Sequence, residues 1–369
     1  MFNAIKKLSK GVIILLCCLI LIPVFIIIFL AILQGCAGKK ISYDKYENKM
    51  VAATKKYLKK EKLLPKEEAE SIVVNLDDLV SEGYIKSPED LVKDKSCVGS
   101  VTVRLNGSNE KSNNGGIYNY NAQLKCDKYK SKSLINLMME DLTTQESGLY
   151  KVNNTYVYKG DRTNNYLKFY GVLYRIINVD EAGIVKLVKE DPESAMFWDN
   201  KYNSKMDQNL GKNIYKDSYI VQKLNDFYIT KKKLKLAARD KVVAYDVCID
   251  AKNIDDVSIP YKTCQNVLEN QYITLLDVRD FANASLDPEC TSLDSKSCRN
   301  YNYMKSMNLS TWTINAVSDD DYQVYYFENG YLRYTQANYY LDYNVVIHID
   351  GQEIVKSGDG SKKTPYVIE

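Results

Sequence analysis

A single histidine, His348, limits the chemistry open to this 369-residue chain. Any Ser-His-Asp or Cys-His relay must run through that one imidazole, and a zinc site built on several histidines is excluded. His348 stands in the alternation Val346-Ile347-His348-Ile349 ahead of Asp350-Gly351, so it reads as a strand residue. Neither a P-loop nor a Gly-x-Gly-x-x-Gly turn occurs, which argues against nucleotide as a partner. The run Asp319-Asp320-Asp321 offers hard oxygen ligands suited to Ca²⁺. That ion takes six to eight oxygens, and the spacing is not that of an EF-hand loop. The competing reading is a solvated turn between Trp312-Thr313-Ile314 and the stretch Tyr322 to Phe327. Asp359, in Gly358-Asp359-Gly360, reads as a turn by the same reasoning. No residue is assigned to catalysis, and no cofactor is expected beyond such a Ca²⁺.

Cysteine is the other reactive residue type. Six of the nine, Cys97, Cys126, Cys248, Cys264, Cys290 and Cys298, lie beyond residue 40, an even number without a C-x-x-C pair. That pattern predicts disulfides and an oxidising compartment. Cys97 and Cys126 flank an expected β-hairpin, so antiparallel pairing brings them together; closing such a loop is worth about 3 to 4 kcal/mol in the chain-entropy treatment. Cys248 with Cys264, and Cys290 with Cys298, are the simplest local pairs among the fifteen connectivities that six cysteines allow. Lys and Arg number 50 against 47 Asp and Glu, a net charge of +3 that gives no field for a polyanion, so nucleic acid is not an expected partner. Tyrosine, at 31 residues against 8 Phe and 2 Trp, suits strand-rich folds and binding faces alike.

These groups need a scaffold, and the first element is apolar. Gly11 to Leu33 carries no charge, and 23 residues at about 1.5 Å rise give about 34 Å, enough to cross a hydrocarbon core of about 30 Å. The stretch predicts a single transmembrane helix in contact with membrane lipid, kinked at Pro23. Lys6, Lys7 and Lys10 favour a cytoplasmic N-terminus, Lys39 and Lys40 weaken that argument, and the distal cysteines put the remaining chain outside the cytoplasm. Leu33-Gln34-Gly35-Cys36 carries a rival reading, a cleaved lipoprotein signal with Cys36 lipidated, although the apolar run is longer than a signal-peptide core.

Beyond the anchor, residues 41–130 predict an amphipathic helix through Tyr43, Tyr46, Met50, Ala53, Tyr57 and Leu58, stopped near Pro65. A second helix is expected from Lys66 to Glu82, with Gly83 as its stop signal. Strands over 98–105 and 117–124 then form the hairpin between Cys97 and Cys126. An anchor running into an amphipathic helix and a small disulfide-closed sheet resembles the type IV pilin and pseudopilin layout. The chain departs from that family where its processing signal sits: Val12 follows Gly11, and Leu16 occupies the place of the glutamate.

Residues 131–149 form an expected connector with a short helix around Leu134 to Met139. A strand-rich α+β domain is expected over 150–369, with strands Tyr156 to Lys159, Tyr166 to Phe169, Val172 to Val179 and Ile184 to Val188, and a helix from Ser218 to Tyr228. Asn329-Gly330 marks a hairpin among the late tyrosines. Asn164-Asn165-Tyr166, Tyr170-Gly171-Val172-Leu173-Tyr174-Arg175-Ile176, Trp198-Asp199-Asn200, Leu224-Asn225-Asp226-Phe227-Tyr228, Ile273-Thr274-Leu275-Leu276 with Phe281-Ala282, Thr311-Trp312-Thr313, and Gly358-Asp359-Gly360 with Pro365-Tyr366-Val367-Ile368 follow one another in that order. They resemble an uncharacterised surface domain of Gram-positive bacteria, and the element order looks like a C-type lectin-like fold. The chain has Tyr343-Asn344-Val345-Val346-Ile347-His348 where relatives carry Gly-Val-Arg-Pro.

Together these features predict an α+β protein comprising a cytoplasmic tip and transmembrane anchor (1–40), a pilin-like unit (41–130), a connector (131–149) and a surface domain (150–369). The expected function is binding or display at the bacterial cell surface, with a cell-wall glycan or surface protein as partner. A pseudopilin-like component of a secretion or pilus-type assembly is one alternative. An extracytoplasmic enzyme is another, including a copper-dependent cysteine oxidase of the formylglycine-generating type, which shares the lectin-like fold.

Overall fold

Ser42 caps the first described helix by accepting a hydrogen bond from the Lys45 amide at 3.4 Å. Asp44 in the first turn, and Lys59 and Lys60 in the last, complement the helix dipole of α1 (Tyr43–Glu61). In the computed structural model, which describes residues 40–66, 70–108, 116–230, 233–253, 264–307 and 309–369, α1 lies across a four-stranded antiparallel sheet. The strands run in the order β1 (Ser71–Asn75), β2 (Val98–Ser108), β3 (Gly116–Cys126) and β4 (Tyr129–Lys130). The stripe Tyr46, Met50, Ala53 and Leu58 is buried with Val101, Val103, Ala122 and Leu124 of the sheet. Burying each large side chain there favours folding by about 1.5 to 3 kcal/mol. Cys97 and Cys126 are bonded at the end of the β2–β3 hairpin.

The expected second helix is corrected here. Ser71–Asn75 is a strand paired with Ser100 to Arg104, and among the described residues of that stretch only Leu76–Ser81 (α2) is helical. Ile72, Val73 and Val74 are β-branched and find an open sheet edge, which outweighs the three- and four-residue spacing that also fits a helix. Gly83 adopts φ +73, consistent with its role as a helix stop.

The larger unit is built on an eight-stranded mixed sheet. Its main path is β13 (Ile273–Thr274), β18 (Val346–Asp350), β9 (Ile184–Lys189), β8 (Val172–Val179), β6 (Thr155–Lys159) and β5 (Gly148–Val152). To β8 is also paired β7 (Tyr166–Phe169), which the C-terminal strand β19 (Tyr366–Ile368) joins in parallel. The expected strands thus agree with the structure to within one residue at each end. Helix α3 (Leu134–Met138), expected in a connector, places Leu134 and Met138 in this larger core. Two-stranded ribbons β10 (Glu193–Phe197) with β17 (Tyr340–Tyr343) and β11 (Tyr245–Cys248) with β12 (Val267–Gln271) flank the sheet. The remaining sheet is β14 (Ser310–Ala316), β15 (Gln323–Glu328) and β16 (Tyr331–Gln336), its tight turn carrying Asn329 and Gly330 at φ 52 and 76. Helix α4 (Tyr219–Ile229) starts at Ser218, while the Asp199 carboxylate accepts the Tyr219 amide at 3.1 Å. Both tryptophans are buried, each indole donating to a backbone carbonyl: Trp198 to Thr313 and Trp312 to Met196, both at 2.9 Å.

A buried polar junction joins the two units. Asn119 of β3 donates to Glu353 at 2.6 Å, and Lys241 donates to Asn119 at 2.6 Å while pairing with Glu353 at 2.9 Å. Arg104 of β2 lies 3.6 Å from Asp350 at the end of β18. Burial raises the pKa of the Glu353 carboxyl against the opposing pull of Lys241. Among the described residues no helix is long and apolar enough to cross a membrane; the run Gly11 to Leu33 and Cys36 lie outside them.

Candidate ligand cleft

Strand register aligns four residues across the larger sheet. His348 of β18 opposes Lys186 of β9, Lys186 opposes Asn178 of β8, and Asn178 opposes Val157 of β6. Directly opposed residues on neighbouring strands share a face, so these side chains form one row, about 14 Å long at about 4.8 Å per strand. Lys159, two residues beyond Val157, falls on that face too. The row depends on a bulge in β8. Ile176 opposes Leu187 while Asn178 opposes Lys186, and the extra residue, Ile177, lets Asn178 share the face of Lys186.

This face floors a cleft of about 1310 Å³. Its far wall is α5 (Val278–Asn283), which begins with a reciprocal capping box. The Asp277 carboxylate accepts the Arg279 amide at 2.8 Å, and the Asp280 carboxylate accepts the Asp277 amide at 2.8 Å. The wall is tied to the floor by Lys186, whose amine reaches both Asp280 oxygens at 2.9 and 2.6 Å. Arg279 pairs with Asp277 at 3.1 Å, and Asn315 donates to Asp277 at 3.3 Å. Burial opposes the Asp277 carboxylate, but the charges of Arg279 and Lys186 outweigh it and its pKa is lowered. For Asp280 burial prevails over the nearby Lys186 and the pKa is raised.

His348 closes one end. Its ring stacks on Tyr245 with centroids 4.0 Å apart and planes 7° from parallel, and the Tyr245 hydroxyl donates to Asp180 at 3.0 Å. The histidine is 2 % exposed, lines the cleft, and its Nδ1 has no hydrogen-bond partner among the described residues. Burial, reinforced by the charge of Lys186, holds its pKa well below the usual imidazole value, so the ring is neutral at physiological pH. The expectation that His348 is a strand residue agrees with the structure; its place in a cleft was not part of that expectation. At the other end Lys159 lines the cleft half-buried, with burial lowering its pKa. Cys248, Cys264 and Cys290 lie on the rim, and the bonds Cys248–Cys264 and Cys290–Cys298 match the expected local pairs.

The acidic run sits elsewhere. Asp320 accepts the amides of Tyr322 and Gln323 at 2.6 and 2.8 Å, and Asp321 pairs with Lys205 at 2.7 Å. Asp319 is exposed, and among the described residues these three carboxylates do not converge with another ligand group. Asp359 is engaged within its turn by Thr364 and Ser361, hydrogen bonds that lower its pKa to about 2. Groupings of ligand-type residues occur at Asp94 with Cys97 and Cys126, and at Asp250 with Cys248 and Cys264. In both the sulfurs are joined to each other, so neither grouping offers a thiolate.

Sequence reasoning missed Lys159, Asn178, Lys186, Asp277, Arg279 and Asp280 as a group. Two signals were present: Lys186 interrupts the apolar strand Ile184-Val185-Lys186-Leu187-Val188, and Asp277-x-x-Asp280 has the spacing of a capping box. No known protein family, curated protein or solved structure matches the chain.

Proposed function

We propose that this chain is a membrane-anchored extracytoplasmic protein of the bacterial cell surface that binds a small polar ligand in the cleft between β18, β9, β8, β6 and helix α5. One observation carries the reading: a row of polar side chains, with buried His348 at one end, faces a large cleft instead of being closed over by core. Core histidines and lysines are normally fully partnered, whereas binding sites keep a few placed polar groups in a concave, partly apolar setting. Three disulfides fit an oxidising location, and the apolar run over residues 11–33 fits a tether. The lectin-like comparison for residues 150–369 belongs to this proposal, and so does the pilin-like comparison for 41–130, which the helix-on-sheet arrangement supports.

The pseudopilin-like alternative needs an apolar helix stripe free for copies of the chain. Tyr46, Met50, Ala53 and Leu58 lie against their own sheet, so copies of the chain would have to meet through the apolar run over residues 11–33 instead. An enzyme at the same cleft would have to release Lys186 and Asp280 from each other before either acted on a substrate.

The test uses the full chain in mild detergent on an array of cell-wall glycans and surface peptides, with and without calcium, beside Asn178→Trp, which fills the cleft. Binding by the wild type that Asn178→Trp abolishes is the expected result. Binding that survives the filled cleft, or no binding in either state, overturns the proposal. A mass well above one chain in its detergent micelle would favour the assembly instead.

A further inference from the structure

We infer that the ligand of this cleft carries a free carboxylate that pairs with Lys159, an inference that rests on the binding role proposed above. Most charged groups along the wall already have partners. Lys186 is held by Asp280, and Arg279 by Asp277. Asp180 receives the Tyr245 hydroxyl and the Ile184 amide, Asp246 receives the Asn270 amide, and Glu181 receives the Asn154 side chain. Each of these acids has a donor in the fold itself. Lys159 differs. Among the described residues no carboxylate or other acceptor reaches its amine, although the side chain is half-buried on the floor of the cleft.

A partly dehydrated ammonium without a counter-charge is costly, and the lowered pKa of Lys159 records that cost. A ligand carboxylate would supply the missing charge and acceptor, and a charge-assisted hydrogen bond is the strongest single contact the cleft can still offer. The rest of the floor sets the ligand's shape. From Lys159, two residues along β6 from the row, the floor continues through Asn178 to His348, so the ligand is elongated and polar, with hydrogen-bonding groups spread over about 16 Å and the carboxylate at one end. Asn153, Asn154 and Asn283 border the same cleft and suit hydroxyl or amide groups. Two sources share this chemistry: a uronic-acid oligosaccharide and the C-terminal end of a short peptide.

Calorimetry on the full chain in detergent separates them with four probes. These are a trisaccharide of galacturonic acid, the corresponding neutral galactose trisaccharide, tetra-alanine with a free C-terminus, and the same peptide amidated. One acidic probe is expected to bind about tenfold or more tighter than its neutral partner, the size of one hydrogen bond to a charged group. Which pair shows the preference identifies the source. Lys159→Met, with its melting temperature checked against the wild type, is expected to erase that preference. A preference that survives Lys159→Met overturns the inference. So does equal binding of acidic and neutral probes, and if Asn178→Trp abolishes that equal binding the cleft remains the binding site. Binding by none of the four removes both readings. A second readout does not depend on the variant's folding: amine-reactive labelling of Lys159 in the wild type should be slowed by the preferred acidic probe and not by its neutral partner. Unchanged labelling counts against the pairing.

Discussion

Two cations sit on adjacent strands of the larger sheet, Arg175 buried and Lys186 partly buried, and their surroundings differ in kind. Arg175 of β8 is fully enclosed. Its guanidinium lies 3.8 Å from the Tyr166 ring centroid and 4.7 Å from that of Tyr303, and it donates to Asn165 and Thr163. Glu190 stands 3.9 Å away on the remaining side. Lys186 of β9 also meets a carboxylate, but it and its neighbours in the row, Asn178 and His348, line the cleft. The first arrangement uses polarity to fix a core. The second leaves it available at a surface, and that difference, more than burial or charge, separates structural polar residues from candidate recognition residues.

Replacement of Arg175 should break the first arrangement most severely. Arg175→Met removes the guanidinium donors to Asn165 and Thr163, leaving Asn165 only the Thr163 hydroxyl at 2.8 Å, and takes the counter-charge from Glu190, so a loss of about 3 to 5 kcal/mol is expected in urea unfolding. A loss below about 1 kcal/mol would show that the enclosure is not the source of stability. Lys186→Met should cost less, about 2 to 3 kcal/mol, because the raised pKa of Asp280 lets that carboxyl take up a proton when its partner is gone. Combining Lys186→Met with Asp280→Asn should recover part of the loss, a coupling readable in a double-mutant cycle.

The smallest effect concerns His348 and depends on pH. Its folded-state pKa is depressed below the usual 6.5, so the unfolded chain binds the extra proton first as pH falls. The contribution of the neutral ring is therefore complete above about pH 6.5 and declines below it, by up to about 1.4 kcal/mol per pH unit. His348→Phe keeps a ring stacked on Tyr245 and removes the titration. The stability difference between wild type and variant should shift towards the variant between pH 6.5 and 5.5, whatever the nearby Lys186 and Asp180 contribute to both. A difference that stays flat with pH would mean that the imidazole is solvated.

Much of the scaffold is legible in the sequence. Alternation fixed β6 to β9, Ser218 and the apolar spacing of Ile220, Leu224 and Phe227 fixed α4, and hairpin logic paired Cys97 with Cys126. Ser71–Asn75 reads as helix from sequence because five residues flanked by helical patterning carry too little signal to separate strand from helix, and the deciding partner, β2, lies some thirty residues away. The cleft was illegible for a related reason. His348, Lys186, Asn178 and Val157 are brought together only by register, and register was shifted by the bulge at Ile177, which composition does not reveal. The charged residues of α5 looked like an ordinary helix start, as indeed they are; their second role appears only once Lys186 reaches across.

The polar junction at Asn119, Lys241 and Glu353 has a mechanical consequence. Glu353 lies five residues beyond His348, so the strand that ends the cleft runs directly into the contact with the smaller sheet. A tensile load applied to the distal unit of a tethered chain would pass through that contact as well as through the single covalent crossing near residues 131–133. Pulling the units apart would expose a carboxylate, an ammonium and an amide together, and the short path from junction to cleft would carry the strain to the edge of the polar row.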